Sequence, residues 1–233
     1  MKTEPQPSQT KPLPAKLEDI RKAADIVSTI LLELKELTKP GVQLDMLNEY
    51  ASKRIQELEA ESAFLNYQPS WAKTPFPAVI CTSVDFEIAH GIPTNRELKE
   101  GQIVKYDVGV KYRSGYGDAA ITVAVGEIDN FKQRLMRFGQ EALMEGIKQV
   151  RHGVPVSSIG KAIQDYCLIK NVDIIKGMAG HHIGAEIHED PLVPSVYYKE
   201  DDSKFLEEGR VICIEPFITR EGYDKMAVAE DQW

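Results

Sequence analysis

The segment IVKYDVGVKYRSGYGDAAITVAVG, residues 103–126, decides the fold of this chain. It contains two short apolar runs, 103–110 and 119–125, and such runs are typical of β-strands. The residues between them are rich in serine and glycine, which favour turns. The segment therefore predicts a β-hairpin whose turn is centred near Tyr112 and Arg113.

Asp107 and Asp118 are the unusual residues of this hairpin, because both lie in otherwise apolar strands. The predicted turn places them opposite each other, and cross-strand neighbours have Cβ atoms about 5 Å apart. Two half-buried carboxylates at that distance repel each other unless a shared proton, a basic partner or a metal ion offsets the repulsion. Two surface aspartates at strand ends explain the hairpin alone equally well.

Outside the hairpin, the predicted elements occur in the same order in both halves of the chain. Apolar residues at helical spacing predict helices at Leu17–Leu37, 44–60, 131–150 and 156–170. Further strands are predicted at 78–84, 172–175 and 209–218. The order helix, helix, strands occurs twice, which indicates a pseudo-duplicated α+β domain, although no residue-level repeat is visible.

The composition argues against several classes of protein. The chain has 233 residues, and 28 basic against 36 acidic side chains give a net charge of −8, which argues against binding to nucleic acid or a membrane surface. No apolar run approaches the roughly 20 residues of a membrane span. Cys81, Cys167 and Cys213 are read as reduced thiols of a cytoplasmic protein. Residues 1–16 are proline-rich and polar, and predict a disordered tail rather than a secretory signal.

A second acidic position lies in EEGRVICIEPF, residues 207–217. Glu215 follows the apolar run VICI, so we expect it at the end of a strand. A glutamate there is costly to bury unless it is paired or bound to a metal. An exposed strand end is the alternative, and the motif by itself is weak.

Histidines accompany these carboxylates. GMAGHHIGAEIHEDP, residues 177–191, contains His181, His182 and His188 among several glycines, and His90 lies in AHGIP. Imidazole is the commonest nitrogen ligand of transition metals and also a good hydrogen-bond donor. Oxygen-rich sites with one imidazole suit divalent ions such as Mn, Fe, Co or Zn. A fifth histidine, His152, follows a helix and is interpreted as structural.

Five motifs in sequence order resemble the signatures of one family. They are HGIP with the preceding ICTSV, YDVGV, GYGDAA, GHHIGAEIHEDP and IEPF. Together they resemble methionine aminopeptidases, which belong to the pita-bread metallopeptidases along with prolidases and creatinases. The resemblance covers about 17–233. Only two helices precede the first strands, and a short segment separates His188 from Glu215, so the chain is similar to the type I enzymes.

The resemblance implies the fold and the site residues. It implies an α+β pita-bread fold, in which two halves related by a pseudo-twofold axis form a curved antiparallel sheet covered by helices. Two divalent ions (Co, Mn, Fe or Zn) would bind to Asp107, Asp118, His181 and Glu215. Asp118 would bridge both ions, and Glu215 would also accept a proton from the attacking water. His90 and His188 would hydrogen-bond the substrate. The implied pocket for the methionine side chain consists of Tyr67, Phe76, Cys81, His90, His188 and Trp233.

The resemblance also implies an activity. It is the removal of the initiator methionine from nascent polypeptides with a small second residue, by a monomer in the cytoplasm near the ribosome. An Xaa-Pro dipeptidase-like peptidase and a non-catalytic pita-bread binding protein are the alternatives.

Several features differ from the family pattern. The family has a further bridging glutamate on a final strand beyond the pocket tryptophan, whereas here Glu230 precedes Trp233. We therefore expect a single catalytic domain, 17–233, truncated at its C-terminus and without its final strand. His182 replaces a usual glycine and is predicted to be a bystander that points away from the ligands. SWAKT, residues 70–74, resembles an insertion at the rim of the pocket.

Overall fold

The computed structural model describes residues 15–229 and 233, so almost all of the predicted tail and Glu230 lie outside the described residues. The helices are α1 (Leu17–Leu37), α2 (Leu44–Glu57), α3 (Asn130–Ile147) and α4 (Ser157–Lys170), with a short 3-10 helix at Lys199–Ser203. The strands are β1 (Glu61–Ser62), β2 (Cys81–Val84), β3 (Ile103–Tyr112), β4 (Gly115–Ala124), β5 (Val172–Ile174), β6 (Ala179–Ile183), β7 (Glu189–Pro194), β8 (Val211–Ile212) and β9 (Ile218–Arg220). The predicted order of helices and strands in the two halves is confirmed.

The described strands pair as three antiparallel sheets. In the first half, β4 pairs with one edge of β3, while β2 and β1 pair with the other edge. Tyr112 pairs with Gly115, so the hairpin turn consists of Arg113 and Ser114. The Ser114 hydroxyl donates a hydrogen bond to the Asp19 carboxylate at 2.6 Å, which ties the turn to the first helical turn of α1.

Helix α1 packs directly on the hairpin. Its buried apolar residues are the ones that the helical spacing selects: Ile20, Ala23, Ile26, Val27, Ile30, Leu31 and Leu34. The close contact depends on glycines in β4. A Cβ atom on Gly117 would lie 2.6 Å from the backbone of Ala23 and Ala24. No side chain fits at that position unless the helix moves away from the sheet.

We expect Gly117→Ala to lower the free energy of unfolding by about 2 kcal/mol or more, because the added methyl group meets rigid backbone atoms of α1. Gly139→Ala is the matched control, since a Cβ atom on Gly139 in α3 has no neighbour within 4 Å. Replacing an unhindered helical glycine stabilises by roughly 0.5–1 kcal/mol. Urea unfolding of both variants measures the difference. Equal effects would contradict this account of how the helix packs.

The second half contains two smaller sheets. Strand β5 pairs with β9, and β6 pairs with both β7 and β8. The prediction of one strand over 209–218 was wrong, because only the short strands β8 and β9 form there and a non-strand segment separates them. Strands β6 and β7 were not predicted, since the histidines and glycines of β6 lack the apolar pattern of a strand. Helices α3 and α4 pack together over the core of this half.

A third cluster of buried side chains joins the two halves. Phe64, Phe76 and Cys81 come from the first half, and Ile183 and Ile187 come from the second. The cluster therefore lies where the hairpin of the first half meets the histidine-bearing strand of the second. Its position brings chain segments that are far apart in sequence to one site.

Candidate active site

The two hairpin aspartates lie diagonally across the strand pair. Asp107 is opposite Ala120, and Asp118 is opposite Gly109. The prediction that the aspartates face each other directly was wrong, because the turn is centred one residue further along the chain than expected. That shift moves the pairing by two positions, and residues two apart share a face of the sheet. Both carboxylates therefore still project to one side.

Asp107 is the most perturbed carboxyl group of this cluster. Burial raises the pKa of Asp107 well above its usual range, and the negative charges of Asp118 and Glu215 raise it further. Like charges held this close require a proton or a cation between them.

His181 faces the acidic cluster from strand β6. Its ring is almost fully buried, and its Nε2 atom lies 3.5 Å from Asp118 Oδ2 and 3.3 Å from Glu215 Oε1. Its Nδ1 atom lies 2.9 Å from the backbone carbonyl of His182, to which an Nδ1–H group donates. Burial by itself would lower the pKa of His181. The two carboxylates and the carbonyl have the larger effect, so the pKa of His181 is raised. Metal-binding histidines commonly donate a hydrogen bond from one ring nitrogen to a carbonyl and bind the metal through the other nitrogen. His181 has the same arrangement.

Glu215 completes the group from the non-strand segment after β8. Burial and the charge of Asp118 raise the pKa of Glu215 to about 7. Its buried Oε1 atom has no hydrogen-bond partner among the described residues. A buried acceptor without a donor is costly, and a divalent cation would satisfy it. Carboxylates with one imidazole are donors that suit such a cation, so the residues present fit a metal site.

Cys213 lies next to this group, which sequence reasoning did not anticipate. Ligand-type atoms of Asp118, His181 and Cys213 all lie within 4.8 Å of one another. However, burial strongly raises the pKa of the Cys213 thiol, and its Sγ atom lies 3.8 Å from the backbone carbonyl of Asp118. We therefore interpret Cys213 as a protonated thiol that donates to this carbonyl and packs beside the site. Its position two residues before Glu215 is the only sequence signal for it.

His188 packs beside His181, with 4.4 Å between ring centroids. The Tyr67 hydroxyl lies 2.7 Å from His188 Nδ1. Desolvation of the packed ring and the nearby positive charge of His181 lower the pKa of His188 to about 4. Desolvation also raises the pKa of Tyr67, which keeps its hydroxyl protonated. Tyr67 therefore donates to Nδ1, and the neutral imidazole of His188 carries its proton on Nε2.

His90 lies beside the cluster that joins the halves, where its ring contacts two tryptophans. Its backbone has a φ of 59°, a conformation that is uncommon for residues other than glycine. Trp71 stacks on its ring, with 5.6 Å between centroids, and the ring of Trp233 lies 6.2 Å away. Burial lowers the pKa of His90, so its ring is neutral near pH 7.

Four of the six residues predicted for the apolar pocket, Tyr67, Phe76, Cys81 and Trp233, lie in this cluster. Phe76 and Cys81 are buried, and Tyr67 and Trp233 pack against them. Cys81 pairs with Asp107 across β2 and β3, so the pocket adjoins the acidic group.

His182 is a buried residue of the second half. Only 2% of it is exposed, and its Nδ1 atom lies 2.7 Å from the carbonyl of Pro191. The register of β6 with β7 shifts between His181 and His182. His182 therefore stabilises the pairing of β6 with β7 through its hydrogen bond to Pro191. Its position in the sequence did not indicate this contact.

We expect His182→Ala to lower the free energy of unfolding by about 1–3 kcal/mol, because it removes a buried side chain and leaves the partly buried Pro191 carbonyl without its donor. Peptidase activity at a temperature where the variant is folded should change little. His152→Ala is the control, since exposed His152 accepts one hydrogen bond from the amide of Glu208. Denaturation curves measure stability. A variant as stable as the wild-type protein would refute a supporting role for His182.

The comparisons with known proteins agree on one family. The pattern of metallopeptidase family M24 matches residues 18–233. Methionine aminopeptidase 1 of Bacillus subtilis is 33% identical over 220 residues, which cover 94% of this chain and 86% of that protein. The crystal structure of the Thermotoga maritima methionine aminopeptidase superposes with a TM-score of 0.86 at 31% identity, covering 93% of this chain and 84% of that one. The chain therefore belongs to metallopeptidase family M24 and, within it, to the methionine aminopeptidases.

A more distant structure confirms the fold alone. The prolidase of Pyrococcus furiosus superposes with a TM-score of 0.71 at 19% identity, covering 86% of this chain and 55% of that one. The expected pita-bread fold is thus confirmed by both kinds of neighbour. Within the described residues, no helix combines the length and apolar character needed to cross a membrane.

Proposed function

We propose that this protein removes the N-terminal methionine from polypeptides with a small second residue. The observation that carries the proposal is the group of Asp107, Asp118, His181 and Glu215, which the fold assembles beside the apolar and aromatic cluster that joins the two halves. In this proposal the four side chains would hold two divalent ions. Such ions, when bound, activate water and polarise the scissile carbonyl. The family relationship supports the use of divalent metal.

Glu215 is assigned the proton transfer. A carboxylate held next to an activated water can accept a proton from it and release it afterwards. His181 lies 3.3 Å from its carboxylate and limits the positions it can take. Glu215 is thus both a ligand and the general base in this proposal.

The neutral histidines are assigned to the substrate. His188 presents an Nε2–H group, because its Nδ1 accepts from Tyr67. That donor suits the carbonyl oxygen, which gains negative charge as water attacks. His90, whose ring contacts Trp71 and Trp233, is assigned a hydrogen bond to the backbone of the substrate.

The pocket is assigned the methionine side chain. Phe76 and Cys81 provide a buried apolar floor, and Tyr67 and Trp233 pack against them. Thioethers make favourable contacts with aromatic rings, so this lining suits methionine. The proposed substrates are nascent chains. The proposed location of the enzyme is therefore the cytoplasm, close to ribosomes. We propose a monomer of one catalytic domain, similar to the type I enzymes.

Methionine release from Met-Ala-Ser by the full-length protein, supplied with Mn or Co, tests the proposal. We expect metal-dependent release of methionine and no comparable cleavage of Xaa-Pro dipeptides. Preferred cleavage of Xaa-Pro substrates would indicate a prolidase-like activity instead. Binding of peptides without any turnover would favour a non-catalytic binding protein.

A further inference from the structure

The loop between Tyr67 and Phe76, which we call the rim loop, is an ordered structure. Its base is closed by two backbone hydrogen bonds, from Asn66 to the Phe76 carbonyl at 2.9 Å and from Phe76 to the Tyr67 carbonyl at 2.8 Å. Inside the loop, the side-chain amide of Gln68 donates to the Ala72 carbonyl at 3.3 Å. Ala72 itself is buried. The loop therefore holds the residue before Ala72 in a defined position.

That residue is Trp71, and it is 58% exposed. One face of its indole covers the imidazole of His90 at 5.6 Å between centroids, with an angle of 18° between the planes. Its edge meets Trp233 at 5.1 Å and 67°. Both contacts have the offset or edge-on geometry that aromatic pairs prefer. The remainder of the indole is open to solvent.

The aromatic contacts continue from Trp71 through Trp233 to Phe76. Trp233 meets Phe76 edge-on at 5.0 Å, and only 2% of Phe76 is exposed. A side chain bound in the pocket would thus be enclosed by Phe76 and Trp233. Because His90 is proposed to bond the substrate backbone, the rest of a peptide would pass His90 and the Trp71 indole that stacks on it. The first residue outside the pocket is the second residue of the substrate.

We propose that Trp71 is a specificity-determining residue that contacts the side chain of the second residue of the substrate. This inference rests on the proposed function. The indole is held from one side by His90 and from another by Trp233, so it cannot turn aside without losing both contacts. A small second side chain fits beside the indole, whereas a larger one collides with it. A difference of one or two methyl groups in such a place changes kcat/KM by about 10- to 200-fold.

The test compares kcat/KM for Met-Ala-Ser and Met-Val-Ser in the wild-type protein, Trp71→Ala, Trp71→Phe and Leu168→Ala. We expect Trp71→Ala to reduce the preference for alanine by at least about tenfold, mainly through faster cleavage of the valine peptide. Trp71→Phe retains a flat ring on His90 and should keep the preference within about threefold of wild type. Leu168→Ala removes an exposed apolar side chain of α4 and should leave the preference unchanged.

An unchanged preference in Trp71→Ala, or an equal loss for both peptides, would overturn this inference while leaving the proposed function intact. Wild-type protein that releases no methionine from either peptide would overturn the proposed function itself. The two tryptophans of the chain both belong to this cluster, so near-ultraviolet circular dichroism reports independently on its structure. We expect the dichroism of Leu168→Ala to match that of the wild-type protein and the dichroism of Trp71→Phe to lose the contribution of the indole pair. A Trp71→Phe spectrum identical to wild type would refute the contact between the two indoles.

Discussion

Asp118→Asn is expected to abolish methionine release from Met-Ala-Ser while the protein remains folded. Asp118 lies in the centre of the acidic group, because it contacts His181 and its charge raises the pKa of both Asp107 and Glu215. Replacing residues that orient metal ligands costs about 10- to 100-fold in metal affinity or activity, so loss of a proposed ligand itself should cost more than that. An amide keeps the size of the side chain but removes its charge.

The stability of Asp118→Asn distinguishes a functional loss from misfolding. In metal-free protein, the mutation removes attraction to His181 but also removes repulsion of Asp107, so the melting temperature should stay close to wild type. Asp165→Asn is the matched control, since it removes only one partner of an exposed pair with Lys161, and such pairs contribute little to stability. Retained activity in Asp118→Asn would refute the assignment of this carboxylate.

Removal of divalent metal is expected to eliminate activity and to lower the melting temperature. Without a cation, the carboxyl groups of Asp107, Asp118 and Glu215 remain buried together, and Glu215 Oε1 has no hydrogen-bond partner within the described residues. Binding only to the folded state stabilises by about 2.7 kcal/mol when the free ligand is at 100 times its Kd. Restoring Mn or Co should therefore raise the melting temperature as activity returns.

Thermal unfolding and methionine release are measured on the same chelated samples, before and after addition of metal. Asp118→Asn again serves as the comparison, because its melting temperature should respond less to added metal than that of the wild-type protein. A wild-type protein that remains fully active after exhaustive chelation would contradict the metal site. A melting temperature that does not change when metal is added would contradict binding of metal to the folded state.

The local elements were predictable because their signals lie in short stretches of sequence. Helix α1 spans Leu17–Leu37 as predicted, since its apolar residues recur at helical spacing and Pro40-Gly41 follows it. The hairpin was predictable for the same kind of reason. The histidine-bearing strand β6 was not, because it is buried by contacts with β7 and β8 rather than by an apolar pattern of its own.

The residues of the candidate site were predictable because each motif contains one side chain of a type that binds metal or substrate. Asp107, Asp118, His181 and Glu215 were selected by motif, and the fold brings them together. Their roles as metal ligands remain a prediction. The contact between Cys213 and the Asp118 carbonyl was missed, because nothing in a linear sequence records which backbone group a thiol meets.

The sequence alone therefore determined the helices, the hairpin and the chemical groups available for catalysis, because spacing and residue type act locally. Tertiary structure decided how those groups meet. The turn at Arg113 and Ser114 set the aspartates diagonally, and the pairing of β6 with β7 buried His182. The rim loop stacked Trp71 on His90. These arrangements depend on contacts between residues far apart in the chain, and packing in three dimensions selects them.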